Sequence, residues 1–257
     1  MTGTAQPDLG RQEAFWDARA TDYPAPDAPE VRDRLLARLA HLPDVARPGP
    51  GRRVLDVGAG TGSLAIHARD RGAEVVALDV SAAMLARIRA ADQSGTITTV
   101  HADWRSVDPE AAGLARGFDL VFAQMVPSLR EAADFARMSA CSLGWCAFVG
   151  WGRVRRDPWL ERAFALHGVP WEVPAGVPLA LERLAEIGVR CEPVWMPETW
   201  SRERPIGAVV RDAVDHLSVR GVEADVGLLT DTAGALAVHG RMADTASVEI
   251  GIVTWRP

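Results

Sequence analysis

The chain has 257 residues, 48% of them hydrophobic and 24% charged, with a formal net charge of −6. That size and apolar content can bury a full core and fit one elaborated domain, while the acidic balance argues against a broad phosphate-tracking surface and so against nucleic acid as a partner. All 28 basic residues are arginine, and neither lysine nor asparagine occurs, which excludes Schiff-base chemistry, a P-loop lysine and the Tyr-x-x-x-Lys pair of a short-chain dehydrogenase.

Cys141, Cys146 and Cys191 are odd in number and lack Cys-x-x-Cys spacing, so they suggest neither a disulfide framework nor a zinc site, and no metal is expected. The first 30 residues are polar, and no apolar run has the length a membrane span needs. A cytoplasmic protein without a membrane partner is the expectation. The oligomeric state is not legible in the sequence.

Read in order, the chain opens with a helix around Arg11 to Ala20, a proline-rich link from Pro24 to Pro29, and a helix from Glu30 to His41. A connector from Leu42 to Gly51 leads to a first strand, Arg53 to Val57, a glycine turn and a helix from about Ser63 to Arg71. Glu74 to Leu78 is the second strand, after which Ser81 caps a helix through Ala91. Thr96 to Val100, Phe118 to Ala123 and Trp145 to Val149 read as strands three to five. Beyond Gly150 helices are expected at Pro158 to His167 and Pro178 to Ile187, then a strand at Val189 to Met196. Two helical stretches between Pro205 and Val238 and a last strand, Val248 to Trp255, complete the reading. The fold class is therefore α/β: a Rossmann-like, doubly wound, mostly parallel seven-stranded sheet with amino-terminal helices and a helical insertion, about 197–241, before the last strand. One domain is expected over 1–257, comprising cap helices (1–51), a nucleoside-binding core (52–150) and an acceptor-side region (151–257).

The core signal is Asp56-Val57-Gly58-Ala59-Gly60-Thr61-Gly62 where the first strand turns into a helix. A dinucleotide fingerprint would need glycine at 63, which is Ser63, so the spacing is G-x-G-x-G. Glycines let the backbone approach a ligand, and the helix N-terminus behind them offers amides to an anionic group. Asp79 ends the second strand, where its carboxylate can accept both hydroxyls of a ribose; Val80 follows. After the third strand, Asp103 and the amide of Trp104 can read an adenine amino edge, with Met84 packed on one adenine face.

Together VLDVGAGTG, ALDVS and HADW, at three successive strand ends, resemble the class I S-adenosylmethionine (SAM) dependent methyltransferase superfamily. The resemblance covers roughly residues 10 to 150, and Ile250 to Trp255 looks like the family's final strand. It implies SAM as cofactor, S-adenosylhomocysteine as product, and a cofactor site that includes Asp56, Gly58, Ala59, Gly60, Gly62, Asp79, Val80, Met84, Asp103, Trp104 and Gln124. The segment Phe15-Trp16-Asp17-Ala18-Arg19-Ala20 with Tyr23 resembles the amino-terminal segment that closes over SAM in many such enzymes. By that likeness Tyr23 and Arg19 contact the methionine carboxylate, and Trp16 faces the acceptor.

Gln124-Met125-Val126-Pro127, ending the fourth strand, occupies the place that faces methyl group and acceptor in this family. It departs from the Asn/Asp-Pro-Pro-aromatic pattern of enzymes that methylate base or glutamine amino groups, which turns the reading away from nucleobases. His101 and His167 are the candidate general bases, a base being optional because positioning supplies the larger share of the rate. Seven of nine tryptophans lie at or after position 145; among them Trp151, Trp159, Trp171, Trp195 and Trp200, with Met125, are expected to line an acceptor pocket. The implied activity is transfer of the SAM methyl group to an O, N or S nucleophile of a small molecule such as a metabolite or natural product. The alternatives are a catalytically inactive SAM-binding interaction module, an RNA or protein methyltransferase, and a nicotinamide-dependent oxidoreductase on the same sheet.

Overall fold

A computed structural model describes residues 9–257. Residues 1–8 of the expected cap region lie outside the described residues. Contacts divide the chain into two compact units: unit 1 holds the described residues up to Gly150 with Ala175–Val194 and Gly251–Pro257, and unit 2 holds Trp151–Pro174 and Trp195–Ile250.

Unit 1 begins with helices α1 (Leu9–Arg19) and α2 (Pro29–Leu39) and then alternates strand and helix: β1 (Arg53–Val57), α3 (Ser63–Asp70), β2 (Glu74–Asp79), α4 (Ala82–Ala91), β3 (Thr98–His101), β4 (Phe118–Gln124) and α5 (Ala132–Cys141). Strand β5 (Ser142–Arg156) carries the chain into unit 2, and α7 (Val177–Glu186) belongs to unit 1. Four adjacent pairs, β3–β2, β2–β1, β1–β4 and β4–β5, are parallel. Val54, Leu55, Val57, Leu120, Val121, Phe122 and Ala123 are all buried, as strands covered on both faces require.

The complete sheet has seven strands in the order β3-β2-β1-β4-β5-β7-β6, with β6 spanning Val194–Pro205 and β7 spanning Arg241–Trp255. The order reverses between β1 and β4. In doubly wound sheets ligands bind at such a switch point, beyond the carboxyl ends of the strands.

Unit 2 has a core of its own. Helices α6 (Pro158–Leu166), α8 (Ile206–Val219) and α9 (Val226–Leu236) bury Trp159, Phe164, Val209, Leu217 and Leu229 around Met242. The Trp159 indole N–H donates to the Val209 carbonyl at 3.0 Å, so this aromatic residue buries its ring without stranding its donor.

Several expected boundaries need correction. The third strand starts at Thr98 rather than Thr96 because Asp92, the residue after α4, accepts from the Ile97 amide at 2.7 Å and from Ser94 Oγ at 2.6 Å, pinning the intervening residues as a turn. The sixth strand runs from Val194 to Pro205, not 189–196, and the last begins at Arg241. Gly188, with φ +79, ends α7 while the Val189 amide donates to the Leu184 carbonyl, so 189–193 cannot extend. Pro197 disguised the strand that follows, yet β6 lies at the sheet's margin, where a missing amide is tolerated. The helical insertion therefore contracts to the chain between β6 and β7. Helix α5 had no sequence expectation; its start is fixed by Asp134 Oδ2, which accepts from the Arg130 and Glu131 amides at 3.0 and 2.9 Å.

Candidate active site

The turn after β1 is shaped by contacts on both sides. The Ala59 amide donates to the Leu78 carbonyl at 3.0 Å, and the Gly60 amide donates to Asp79 Oδ2 at 2.8 Å, tying the turn to the end of β2. Gly58 has φ +65, and a Cβ there would lie 2.6 Å from Val126 Cγ2, so the protein's own packing forbids a side chain. Gly60 has φ +54, but a Cβ there would meet nothing within 4 Å. Gly62 precedes α3 as its N-cap, and Ala59 and Thr61 are buried between these glycines.

Two carboxylates support the turn. Asp56 is buried, and its Oδ2 accepts from the Ala65 amide at 3.1 Å. Burial pushes its carboxyl up to about 7, against the Ala65 hydrogen bond and with help from the Asp79 charge. Burial also raises Asp79, opposed by hydrogen bonds from the Ser81, Gly60 and Val80 amides and by His101. Asp79 Oδ1 accepts from the Ser81 amide at 2.9 Å, and the roughly four acceptor sites of a carboxylate exceed the number of these backbone bonds.

The amino-terminal segment is fastened over α4 and the turn. Asp17 Oδ1 accepts from Ser81 Oγ at 2.5 Å and from the Ala83 amide at 3.1 Å, placing a carboxylate at the amino end of α4. The Arg87 guanidinium donates to the carbonyls of Ala20, Tyr23 (2.5 Å) and Pro24 (3.3 Å), and Thr61 Oγ1 donates to the Pro24 carbonyl at 3.3 Å. Trp16 and Tyr23 meet edge to face at 6.1 Å, and Arg19 lies 3.5 Å from the Phe15 ring centroid. Asp17, Ser81 and Arg87 thus emerge as site-building residues. Their distant partners lie 63 or more residues away, and only the helix-cap role of Ser81 leaves a local signal.

At the third strand end, Asp103 is engaged by Arg105 through Oδ2 (Nε 3.0 Å, Nη2 2.9 Å) and by the Arg105 amide at 3.1 Å. Trp104 is buried and donates from Nε1 to the Asp134 carbonyl at 3.2 Å. Met84 is a core residue of α4, and its amide donates to Ser81 Oγ. His101 sits opposite Asp79 in the β2–β3 pairing, with Nε2 2.9 Å from the Val80 carbonyl and 3.1 Å from Glu13 Oε1.

The end of β4 carries two irregularities. Met125 adopts φ +54, an unusual conformation for a residue with a side chain, while its amide donates to the Val149 carbonyl at 2.7 Å. Beside it Gln124 Oε1 is buried without a hydrogen-bond partner.

In unit 2, Trp151 and Trp200 stand 5.5 Å apart, and Trp171 packs edge to face on Phe164 at 5.2 Å. Both nitrogens of His167 are committed to the backbone: Nδ1 donates to the Ala163 carbonyl at 2.7 Å, and Nε2 accepts from the Asp225 amide at 2.9 Å. That fixes a neutral tautomer whose lone pair is occupied. Cys141 and Cys146 are buried, and burial raises both thiols, Cys141 to about 11, so neither is a nucleophile at neutral pH. Among the described residues no cluster of side chains could hold a metal ion, and no helix is long and apolar enough to cross a membrane.

A parallel sheet with its switch point between β1 and β4, a glycine turn fastened to a carboxylate at the end of β2, and a strap over that turn define a nucleoside-binding doubly wound domain. Residues 54–141 match the family described as methyltransferase domain. The ubiquinone biosynthesis O-methyltransferase of Mesorhizobium japonicum is 35% identical over 94 residues, a stretch amounting to 35% of this chain and 36% of that one. The match thus spans about a third of the curated relative's length. Among solved structures, DhpI in a complex with SAM has a TM-score of 0.50 at 18% identity, covering 95% of this chain and 99% of that one. A phosphoethanolamine N-methyltransferase of Haemonchus contortus has a TM-score of 0.53 at 13% identity, covering 97% and 60%. At these identities the two structures establish the shared fold.

Proposed function

We propose that this chain transfers the methyl group of SAM to an O, N or S nucleophile of a small molecule. The observation that carries the reading is Asp79, whose carboxylate holds the Gly60 amide at 2.8 Å while the outer face of Gly60 stays open. A ribose needs such an acceptor at the end of β2, and the methionine end of the cofactor needs such close access to backbone.

The residues present fit the cofactor. Asp79 would accept the ribose hydroxyls, the turn from Gly58 to Gly62 would take the methionine portion, and Asp103 with the Trp104 amide would stand at the adenine edge. The buried, unpartnered Gln124 Oε1 supplies an acceptor for an ammonium or hydroxyl donor. SAM, when bound, supplies a methyl group activated by its sulfonium, and the departing thioether needs no proton. Asp17 and Arg87 hold the strap that excludes water. Because His167 has no free nitrogen and His101 faces Val80 and Glu13, catalysis rests on positioning the acceptor in line, an effect of roughly 7 to 11 kcal/mol in favourable cases.

The test is calorimetry of the full chain with SAM and S-adenosylhomocysteine, followed by incubation with deuterated-methyl SAM and a panel of phenols, thiols and amines read by mass. Micromolar binding with a labelled product is expected. No binding of either nucleoside overturns the reading. The same committed histidines favour one second reading, a SAM-binding module without turnover, for which binding with no labelled product would be the sign.

A further inference from the structure

Strand β5 places Arg155 in an unusual setting within unit 2. Its guanidinium carbon lies 4.5 Å from the Trp151 ring centroid and 5.1 Å from that of Trp171, and the residue is only 8% exposed. The Trp171 indole N–H donates to the Arg155 carbonyl at 2.9 Å, which fixes one of the two rings.

Asp157, Asp212 and Asp244 pair with other arginines. Arg202 Nη2 contacts Asp244 Oδ2 at 3.1 Å and Asp157 Oδ2 at 3.3 Å, while Arg204 contacts Asp212 at 2.9 Å and Asp244 at 2.8 Å. Arg155 has no carboxylate within salt-bridge distance among the described residues. Among the described residues its Nε has no partner, and its one side-chain hydrogen bond is a long one, Nη2 to His216 Nε2 at 3.4 Å. His216 turns Nδ1 towards Asp212 (2.8 Å to the carbonyl, 3.2 Å to Oδ1), so the nitrogen facing Arg155 is the acceptor. Burial lowers the Arg155 pKa against the pull of Asp157 and Asp212, the direction expected of a desolvated cation without a direct counter-ion.

A buried charge with no partner is costly, and an apolar residue of similar volume would be more stable here. Contact with the two indole rings is made through the guanidinium carbon, which leaves the in-plane donors of the fork for recognition. Those donors match the two oxygens of a carboxylate, and tryptophan faces suit a planar body attached to it. We propose that Arg155, flanked by Trp151 and Trp171, is a recognition residue for the carboxylate of a flat, apolar molecule. Identifying that molecule as the methyl acceptor rests on the function proposed above; the anion site itself does not.

The experiment is calorimetry of the full chain with 2-naphthoate, methyl 2-naphthoate and 2-naphthyl phosphate, on the native sequence, on Arg155→Met and on Arg155→Lys. The native chain should bind naphthoate about 10- to 100-fold more tightly than its ester, the range expected for charge-assisted hydrogen bonds to one buried fork. Arg155→Met should bring naphthoate down to the level of the ester, and Arg155→Lys should recover only part of the difference. The comparison of acid with ester needs no variant, so misfolding of either substitution cannot hide the answer. Equal affinity of acid and ester, no binding of naphthoate, or full retention in Arg155→Met overturns the proposal. Tighter binding of the phosphate overturns the carboxylate assignment. Loss of S-adenosylhomocysteine binding with naphthoate binding intact would sink the methyltransferase reading alone, and the converse would sink the Arg155 site alone.

Discussion

Asp56 offers a test that needs no substrate. Its carboxyl is lifted from an ordinary 3.8 to about 7 because the side chain is buried behind the glycine turn. A folded-state value above the unfolded one means the folded protein holds the proton more tightly, so the penalty is absent below about pH 4 and grows as pH rises to about 7. The size is about 4 kcal/mol when the carboxylate is fully ionised, from about 1.4 kcal/mol for each pH unit between the two values. Asp56→Asn keeps an acceptor for the Ala65 amide, which sits at 3.1 Å, and removes the charge. Because the net shift already contains the Ala65 hydrogen bond to the carboxylate, the variant should be about 4 kcal/mol more stable than the parent at pH 8. At pH 4 the two should nearly coincide. Urea melts of both proteins at pH 4, 5, 6, 7 and 8 give the difference directly, and the contributions of the distant Asp92 and Asp212 cancel in it. A parent-to-variant gap that stays constant across this range would refute the assignment of a buried, reluctantly ionised Asp56.

Two further predictions concern the turn and the histidine. Gly60→Ala adds a methyl group to open space at φ +54, so it should cost about 1 to 2 kcal/mol of stability yet weaken S-adenosylhomocysteine binding severely; Gly58→Ala meets Val126 and should cost a further 1 to 3 kcal/mol. Melting temperatures and calorimetry on both variants separate the effects, and unchanged binding in Gly60→Ala would show that its open face does not meet the ligand. His167→Ala removes the partners of the Ala163 carbonyl and the Asp225 amide and should lower stability by about 1 to 3 kcal/mol while leaving turnover per folded molecule unchanged. A rate loss beyond tenfold at full folding would restore His167 as a base.

The architecture was readable wherever a strand was buried on both faces. β1 is recovered residue for residue because its apolar run stops against glycine, and α4 because the Ser81 hydroxyl accepts the Met84 amide as a cap should. β6 was misread because its half-buried face carries Glu198, Arg202 and Arg204 and its exposed positions include two prolines, so only the alternation of half-buried and exposed residues betrays it. The position of Asp79 at the end of β2 follows from strand length alone. Contacts such as Asp17 to Ser81 and Arg87 to the Tyr23 carbonyl join residues 64 apart, and no local pattern encodes them. Nor could the sequence disclose that both nitrogens of His167 serve the backbone, since Asp225 lies 58 residues away.

The two marginal strands of the sheet bear on what the protein does when crowded. β3 has only four residues, and β6 interrupts its backbone donors with Pro197. A short margin and a proline-broken one are poor templates for another chain to zip onto. Self-association of this protein by sheet extension is thereby disfavoured, and so is the route to fibrous aggregates that an open edge would offer.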